Sequence, residues 1–393
     1  DVSGTDDTAT KNTAYGLTAL DAITTGDNNT ATGYAALSAN TTGASNVAVG
    51  KDALKANTTA GSNTAIGLQS LFTNTTGANN TATGSQALYS NSTGSYNAAV
   101  GESALYTNST GANNVAVGRI ALYNNTADDN TAVGYAALTA NTTGANNVAV
   151  GKNALLANTT AANNVALGMD TLSANTTGTR NLAIMKNALN SSDTEDDNIA
   201  IGYDSMTTNT AGGTGNVALG NYTLDALTSG DYNVAMGHTA LGANSTGGSN
   251  VAIGHEALLT NTTASNNTGV GFQSLKLNST GDSNVAVGWH SLAANTTGYY
   301  NNAIGRDALL ANTEGAHNIS LGSDTMKANT TGNSNVAVGG YSLEANTTAS
   351  NNIAVGYTAL RANTTGTRNT AIGVNAYNSS DTENDNIAIG YDA

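Results

Sequence analysis

The chain contains no cysteine and no proline. Without cysteine it can form neither a disulfide nor a thiolate metal site, and redox chemistry gives no guide to its compartment. Without proline the backbone keeps its N–H groups, which suits a chain whose N–H groups are nearly all committed to a hydrogen-bonded ladder. Both absences favour a fold that is held together by its backbone.

Charged and aromatic residues are also scarce, at 10% and 5% of the 393 residues. The 12 Lys and Arg residues are outnumbered by 27 Asp and Glu residues, which gives a net charge of −15. Nucleic-acid binding needs a basic surface, so we expect no nucleic-acid partner. No apolar run approaches the ~20 residues of a membrane helix, so we expect no membrane insertion. No signal peptide is recognisable at Asp1.

What the chain does have is one pattern repeated 23 times. A glycine recurs every 17 residues with an asparagine four residues before it, and only Met185 replaces that glycine. Two spacings differ, because Gly118 to Gly134 is 16 residues and Gly202 to Gly220 is 18. A short fixed period indicates a solenoid in which each unit stacks on its neighbours.

One repeat predicts one coil of β-structure. Asn-Val-Ala-Val-Gly at 46–50 alternates β-branched and small residues, which is typical of a strand. Ala53 and Leu54 predict a second short strand, and Asn-Thr-Thr-Gly predicts a turn whose glycine has a positive φ. The predicted fold is therefore all-β: a parallel β-solenoid, or β-roll, of about 23 stacked 17-residue coils. At ~4.8 Å per coil, it would form an elongated rod on the order of 110 Å long.

Stacking would align identical residues into columns. We expect the asparagine of each repeat to form a side-chain amide ladder, as stacked asparagines do in cross-β structures. A second asparagine column runs through Asn40, Asn57 and Asn74. The positions predicted to be structural, with the coil glycines and a leucine column, are Asn46, Asn63, Asn114, Asn147, Gly50, Gly67, Gly118, Gly151, Leu54 and Leu71.

The residue two before the coil glycine is alanine in 21 of 23 repeats, while the residue after it is usually Val, Ile, Leu or Met. Adjacent strand residues point to opposite faces, so both faces would carry non-polar side chains. Uniformly small alanines favour close approach of a second surface, which predicts a homo-oligomer. The alternative is that alanine suits a narrow interior beside the leucine column.

The repeats Asn-Thr-Ala-Ile-Gly at 63–67 and Asn-Thr-Ala-Val-Gly at 130–134, each followed by Asn-Thr-Thr-Gly, closely resemble the repeats of long bacteriophage tail fibres. Asn-Val-Ala-Val-Gly also resembles the core motif of trimeric autotransporter adhesin heads. The resemblance implies parallel β-rolls intertwined or packed as a homotrimer, with an extracellular location on a virion or cell surface. The period of 17 is longer than the usual adhesin-head repeat.

A longer repeat is superimposed on the short one. The segment 177–205 returns as 365–393, at an offset of 188 residues. We therefore expect a first large repeat at 1–206, with about 12 coils, and a second at 207–393, with about 11. The continuous rod is expected to be a fragment of a longer chain, with end-to-end continuation.

No catalytic set is evident, so we expect no enzyme and no cofactor, with calcium as the one candidate. Two acidic segments replace the usual Asn-Thr-Thr-Gly turn, and clustered carboxylates can bind Ca²⁺. The alternative is that Arg180 and Arg368, one coil earlier, pair with these carboxylates. His238 and His255 are 17 residues apart but lack the further ligands that a metal site needs. The candidate calcium ligands are Asp193, Glu195, Asp196, Asp197, Asp381, Glu383 and Asp385.

The leading functional prediction is a structural extracellular fibre shaft that spaces or presents receptor-binding ends. The partners expected are copies of the chain itself, with a cell-surface glycan or receptor as a further candidate. One alternative is an array-type binding surface, either ice-binding through the threonine column Thr41, Thr58 and Thr75 or glycan-binding through exposed aromatic residues. Another is a glycosylated extracellular matrix filament, because Asn-Thr-Thr matches the glycosylation acceptor pattern.

Overall fold

The structure, a computed structural model, describes residues 9–210, 212–379 and 381–393. The chain forms two compact units, Asp1–Asp196 and Asp197–Ala393. The large-repeat boundary expected at 206/207 was drawn from sequence similarity and remains a prediction. Unit 1 ends inside the first acidic segment. Among the described residues, no helix is long and apolar enough to cross a bilayer.

Each repeat contributes one three-residue strand. The strands of unit 1 are β1 Thr13–Tyr15, β2 Thr30–Thr32, β3 Val47–Val49, β4 Thr64–Ile66, β5 Thr81–Thr83, β6 Ala98–Val100, β7 Val115–Val117, β8 Thr131–Val133, β9 Val148–Val150, β10 Val165–Leu167 and β11 Leu182–Ile184. The strands of unit 2 are β12 Ile199–Ile201, β13 Val217–Leu219, β14 Val234–Met236, β15 Val251–Ile253, β16 Thr268–Val270, β17 Val285–Val287, β18 Asn302–Ile304, β19 Ile319–Leu321, β20 Val336–Val338, β21 Ile353–Val355, β22 Thr370–Ile372 and β23 Ile387–Ile389.

Within each unit, consecutive strands pair in parallel and in register. In unit 1, Val47 lies opposite Thr64 and Ala48 opposite Ala65; in unit 2, Val217 lies opposite Val234. Neighbouring strands therefore carry the same position of successive repeats, as the period predicted. The predicted fold class, a parallel β-solenoid of about 23 coils, is confirmed.

The prediction of a second strand at Ala53 and Leu54 was wrong. These residues lie in a turn, and Leu54 has a left-handed backbone with φ of 50°. Left-handed leucine is normally strained by roughly 1–2 kcal/mol. Here the conformation is held because the Leu54 N–H donates to Ser70 O at 3.0 Å in the next coil and the Leu54 side chain is fully buried.

The glycine that needs a positive φ is the coil glycine, not the turn glycine. Gly50 has φ of 133°, and a Cβ there would lie 2.5 Å from Gly67 O. Gly43, in the Asn-Thr-Thr-Gly turn, is not left-handed, so that prediction was wrong. Its requirement is space, because a Cβ at Gly43 would lie 2.4 Å from Asn40 Oδ1.

The interior of each unit is made of alanine, leucine and asparagine. Ala48, Ala53 and Leu54 are fully buried within one chain. The alanine column therefore faces inward, and its reading as a contact with a second chain was wrong. The alternative, a narrow interior that leaves room only for alanine beside leucine, is correct. The outward strand residues are instead the β-branched ones on either side of the alanine.

Candidate functional surfaces

The first asparagine column is buried and hydrogen-bonded from coil to coil. The Asn46 N–H donates to Asn29 Oδ1 at 3.0 Å, and Asn46 Nδ2 donates to the same oxygen at 3.1 Å and to Ala60 O at 2.9 Å. Backbone donation to the preceding asparagine recurs along the column, at Asn63, Asn114 and Asn147. This column links the strand of one coil to the turn of the next.

The second column lies beside the first. Asn57 Nδ2 donates to Asn40 Oδ1 at 2.9 Å and to Ala60 O at 2.9 Å, so both columns meet at the Ala60 carbonyl. The asparagines of the Asn-Thr-Thr acceptor patterns are fully buried, and their side-chain Nδ2 atoms donate hydrogen bonds inside the solenoid. In the folded coil these nitrogens are inaccessible to a glycan; the positions are Asn40, Asn57, Asn74, Asn91 and Asn141.

The remaining positions predicted to be structural fall into two groups. The coil glycines Gly50, Gly67, Gly118 and Gly151 all have φ between 132° and 137° and end the strands. The side chains of Leu54 and Leu71 fill the interior.

The threonine columns differ in what their hydroxyls do. Thr41 Oγ1 donates to Thr58 O at 3.0 Å, and Thr75 Oγ1 donates to Ser92 O at 3.0 Å. These hydroxyls are used inside the solenoid, so they are not a free lattice of donors. The next residue of each turn, such as Thr42, is exposed.

The first acidic turn is built around Glu195, which is only 2% exposed. Its Oε2 accepts from Ser192 Oγ at 2.8 Å, from the Asp193 N–H at 2.9 Å and from the Thr194 N–H at 3.1 Å. In ordinary coils the corresponding N–H groups donate to the next coil, as Thr176 does to Asp193 O at 2.8 Å. Glu195 thus accepts the hydrogen bonds of the N–H groups in its own turn. Ser192 stands where other coils have the asparagine of the second column, and its smaller side chain leaves space for the Glu195 carboxylate.

The second acidic turn repeats this arrangement. Glu383 Oε2 accepts from the Asp381 and Thr382 N–H groups at 3.1 Å each. Asp385 accepts from Arg368 Nε at 2.5 Å and from Nη2 at 2.8 Å. These hydrogen bonds from Arg368 lower the pKa of Asp385.

Of the other predicted calcium ligands, Asp196 has its carboxylate engaged in protein contacts. Asp196 Oδ1 accepts from the Thr179 N–H at 2.6 Å, and Asp196 Oδ2 lies 3.7 Å from Arg180 Nη2. Asp193 supplies its main-chain oxygen to Thr176, and Asp197 has a left-handed φ of 60°. Arg180 and Arg368 thus lie beside Asp196 and Asp385, as the arginine-paired alternative expects, and calcium binding at these turns stays a prediction.

Across the described part of the chain, no three His, Asp or Glu side chains converge as metal ligands would. His238 and His255 are exposed and stacked, with ring centroids 5.4 Å apart. The stack continues through Phe272 to Trp289. The histidines therefore belong to an aromatic column of unit 2.

A charged cluster in unit 2 was not identified from the sequence. Asp324 is 3% exposed; it accepts from Lys327 Nζ at 2.7 Å and from Arg306 Nη2. Lys327 Nζ also donates to the buried Asp307 at 3.3 Å. Burial raises the pKa of Asp324, but hydrogen bonds from Lys327, Arg306 and Ser323 outweigh it and lower the pKa to about 2. Arg306 and Asp307 lie in one coil and Asp324 and Lys327 in the next, so no contiguous sequence motif marks the cluster.

A second aromatic column, the aromatic ladder, consists of Phe72, Tyr89, Tyr106 and Tyr123 in unit 1. Successive ring centroids are 5.1, 5.0 and 4.9 Å apart, with interplanar angles of 7°, 4° and 3°. The rings cover one another's faces, so Tyr89 and Tyr106 offer edges rather than faces to a sugar. Burial, then the neighbouring tyrosines, raises the pKa of Tyr106.

An exposed feature of both units is the outward stripe, defined as the first and third residues of every strand. None of these positions is charged in any of the 23 strands. Many are 36–43% exposed, which is high for aliphatic side chains in a regular row; examples are Ile66, Val100, Val117, Val150, Ile253, Ile304 and Ile353. The stripe is thus uncharged and mostly apolar, with threonine or asparagine at ten of its 46 positions.

No protein-family model matches the chain, and no curated protein is significantly similar to it. The resemblance to tail fibres and adhesin heads therefore rests on the repeat motifs alone.

Proposed function

We propose that this protein is a structural extracellular fibre shaft, of the kind found in phage tail fibres and adhesin-like surface filaments. The observation that carries the proposal is the outward stripe, which repeats in register with the strands of each unit. A shaft needs the same contact surface at every coil, and the repeat provides it. The motif resemblance supports the extracellular location on a virion or cell surface.

The partner that fits the stripe best is another copy of the chain. The stripe runs along all eleven strands of unit 1, and its most exposed aliphatic side chains, such as Ile66, Val100 and Val117, are 37–41% exposed. Repetition along the unit, rather than any single coil, supplies the area that a stable interface of ~800 Å² per partner needs. The stripe is uncharged, so its copies can approach despite a net charge of −15 per chain. We propose a homotrimer, following the resemblance.

Light scattering after size exclusion tests this proposal directly. The chain, 39.1 kDa as a monomer, should give three times that mass at micromolar concentration, and electron microscopy should show fibres. Val117→Lys with Val150→Lys should dissociate the trimer, because each buries charge in the stripe.

Thr93→Lys with Thr143→Lys is the matched control, since these exposed turn residues lie off the stripe. It adds the same charge and should leave the mass unchanged. Far-ultraviolet circular dichroism checks that all variants keep their sheet. A wild-type chain that stays monomeric while folded would refute the proposal.

A further inference from the structure

The aromatic ladder brings three phenols into an unusual arrangement. Tyr89, Tyr106 and Tyr123 are half-buried, so their rings reach solvent while their attachment to successive coils is fixed. The rings are parallel to within 4°. Because each coil repeats the last by a translation along the stack, the same atom of each ring faces its counterpart, and the ortho carbons lie about 5 Å apart, close to the strand spacing.

Other tyrosine contacts in the described residues lack this register. Tyr299 meets Tyr300 at 74°, and Tyr341 meets Tyr357 at 83°. In such edge-to-face pairs the ortho carbons of the two rings do not face each other. The aromatic ladder is thus the place where equivalent ring carbons are already aligned.

We propose that the aromatic ladder is a site of oxidative tyrosine cross-linking within one chain, joining Tyr106 to Tyr89 or to Tyr123. Each of two neighbouring phenols loses one electron and one proton to give a phenoxyl radical. The two radicals form one carbon–carbon bond between their ortho carbons. The two ring hydrogens then move to the oxygens and restore both phenols.

The oxidant is hydrogen peroxide acting through a haem peroxidase. One peroxide accepts the two electrons and two protons and yields two waters, so the product is lighter than the chain by two hydrogens. The bond closes a loop of one coil. In a chain without cysteine it would constrain the unfolded state as a disulfide does and join adjacent coils covalently.

The test is oxidation of the folded full chain with a plant peroxidase and hydrogen peroxide. We expect dityrosine fluorescence, a mass loss of two hydrogens in the monomeric chain on denaturing separation, and cross-linked peptides that map to Tyr89–Tyr106 or Tyr106–Tyr123. The same treatment in guanidinium chloride should lose this selectivity.

Tyr106→Phe should lower the intramolecular yield at least tenfold, because Tyr89 and Tyr123 are then two coils apart. Phenylalanine preserves the stack, as Phe72 shows in the same column, so the variant should fold. Tyr96→Phe, an exposed tyrosine of unit 1 outside the ladder, should leave the yield unchanged. No dityrosine, an undiminished yield in Tyr106→Phe, or links that map elsewhere would each overturn the proposal.

Discussion

At the scale of single residues, the solenoid depends on polar side chains that are buried and satisfied. Burying a polar group is costly unless it is hydrogen-bonded. Asn46 and Asn57 meet this condition through the preceding coil and through a shared turn carbonyl. Glu195 meets it differently, by accepting three hydrogen bonds inside its own turn. The acidic turns are therefore local substitutes for the asparagine ladder.

This interpretation predicts a compensating pair. Glu195→Gly should destabilise unit 1 by about 2–3 kcal/mol, because Ser192 Oγ and two N–H groups lose their acceptor. Adding Ser192→Asn restores the ordinary turn and should recover most of that loss, giving a coupling energy above about 1 kcal/mol in urea unfolding. Glu314→Thr, at an exposed turn position, is the control and should be neutral. Additive effects at 192 and 195 would contradict the interpretation.

The charged cluster predicts acid sensitivity in unit 2. The folded pKa of Asp324 is about 2, below its usual 3.8, so the ionised form is the one that stabilises the fold. The contribution, on the order of 1–2 kcal/mol after screening of the exposed cations, is present above about pH 4 and is lost as pH falls toward 2.

Thermal unfolding between pH 5 and pH 2 measures this loss. Asp324→Asn should remove that part of the pH dependence, and Glu314→Gln should retain it. Parallel pH profiles for the Asp324→Asn variant and the wild type would show that the cluster contributes nothing.

At the scale of the element, each coil is a three-residue strand followed by a glycine, or once by Met185, and then by turns with left-handed residues. The sequence pattern predicted the strand because the β-branched alternation at 47–49 is local. It missed the left-handed Leu54, because that conformation is favoured only by the hydrogen bond and burial supplied by the next coil. It also misplaced the positive-φ glycine, since both glycines recur with the same period.

A coil glycine should differ on substitution from a glycine that has room for a Cβ. Gly356 has φ of 139°, and a Cβ there would lie 2.2 Å from Gly373 O, so Gly356→Ala should destabilise unit 2 by about 2–4 kcal/mol. At Gly340 a Cβ would lie 3.6 Å from the nearest atom, in the Tyr357 ring. Gly340→Ala should therefore change stability by less than about 0.5 kcal/mol. Urea unfolding measures the stability of both variants. Equal losses would contradict the assignment of the positive-φ requirement to the coil glycine.

At the scale of the whole molecule, the proposed assembly balances an uncharged stripe against a large negative charge. The charge of −15 opposes association through repulsion between copies, and salt screens that repulsion. We therefore expect association to strengthen between about 20 and 500 mM NaCl. Sedimentation at several salt concentrations measures this, and association weakened by salt would indicate an interface held by ion pairs instead.

The sequence by itself determined the coil, its period and the parallel register, because a 17-residue repeat can align its β-branched residues, asparagines and glycines only by stacking. It also identified the two acidic turns as exceptions. Only the tertiary structure decided which strand face lies inside, since alternation separates Ala48 from Val47 and Val49 without assigning either side. The narrow interior is filled by alanine and leucine side chains. The larger β-branched side chains therefore lie outside, where they are available to a partner.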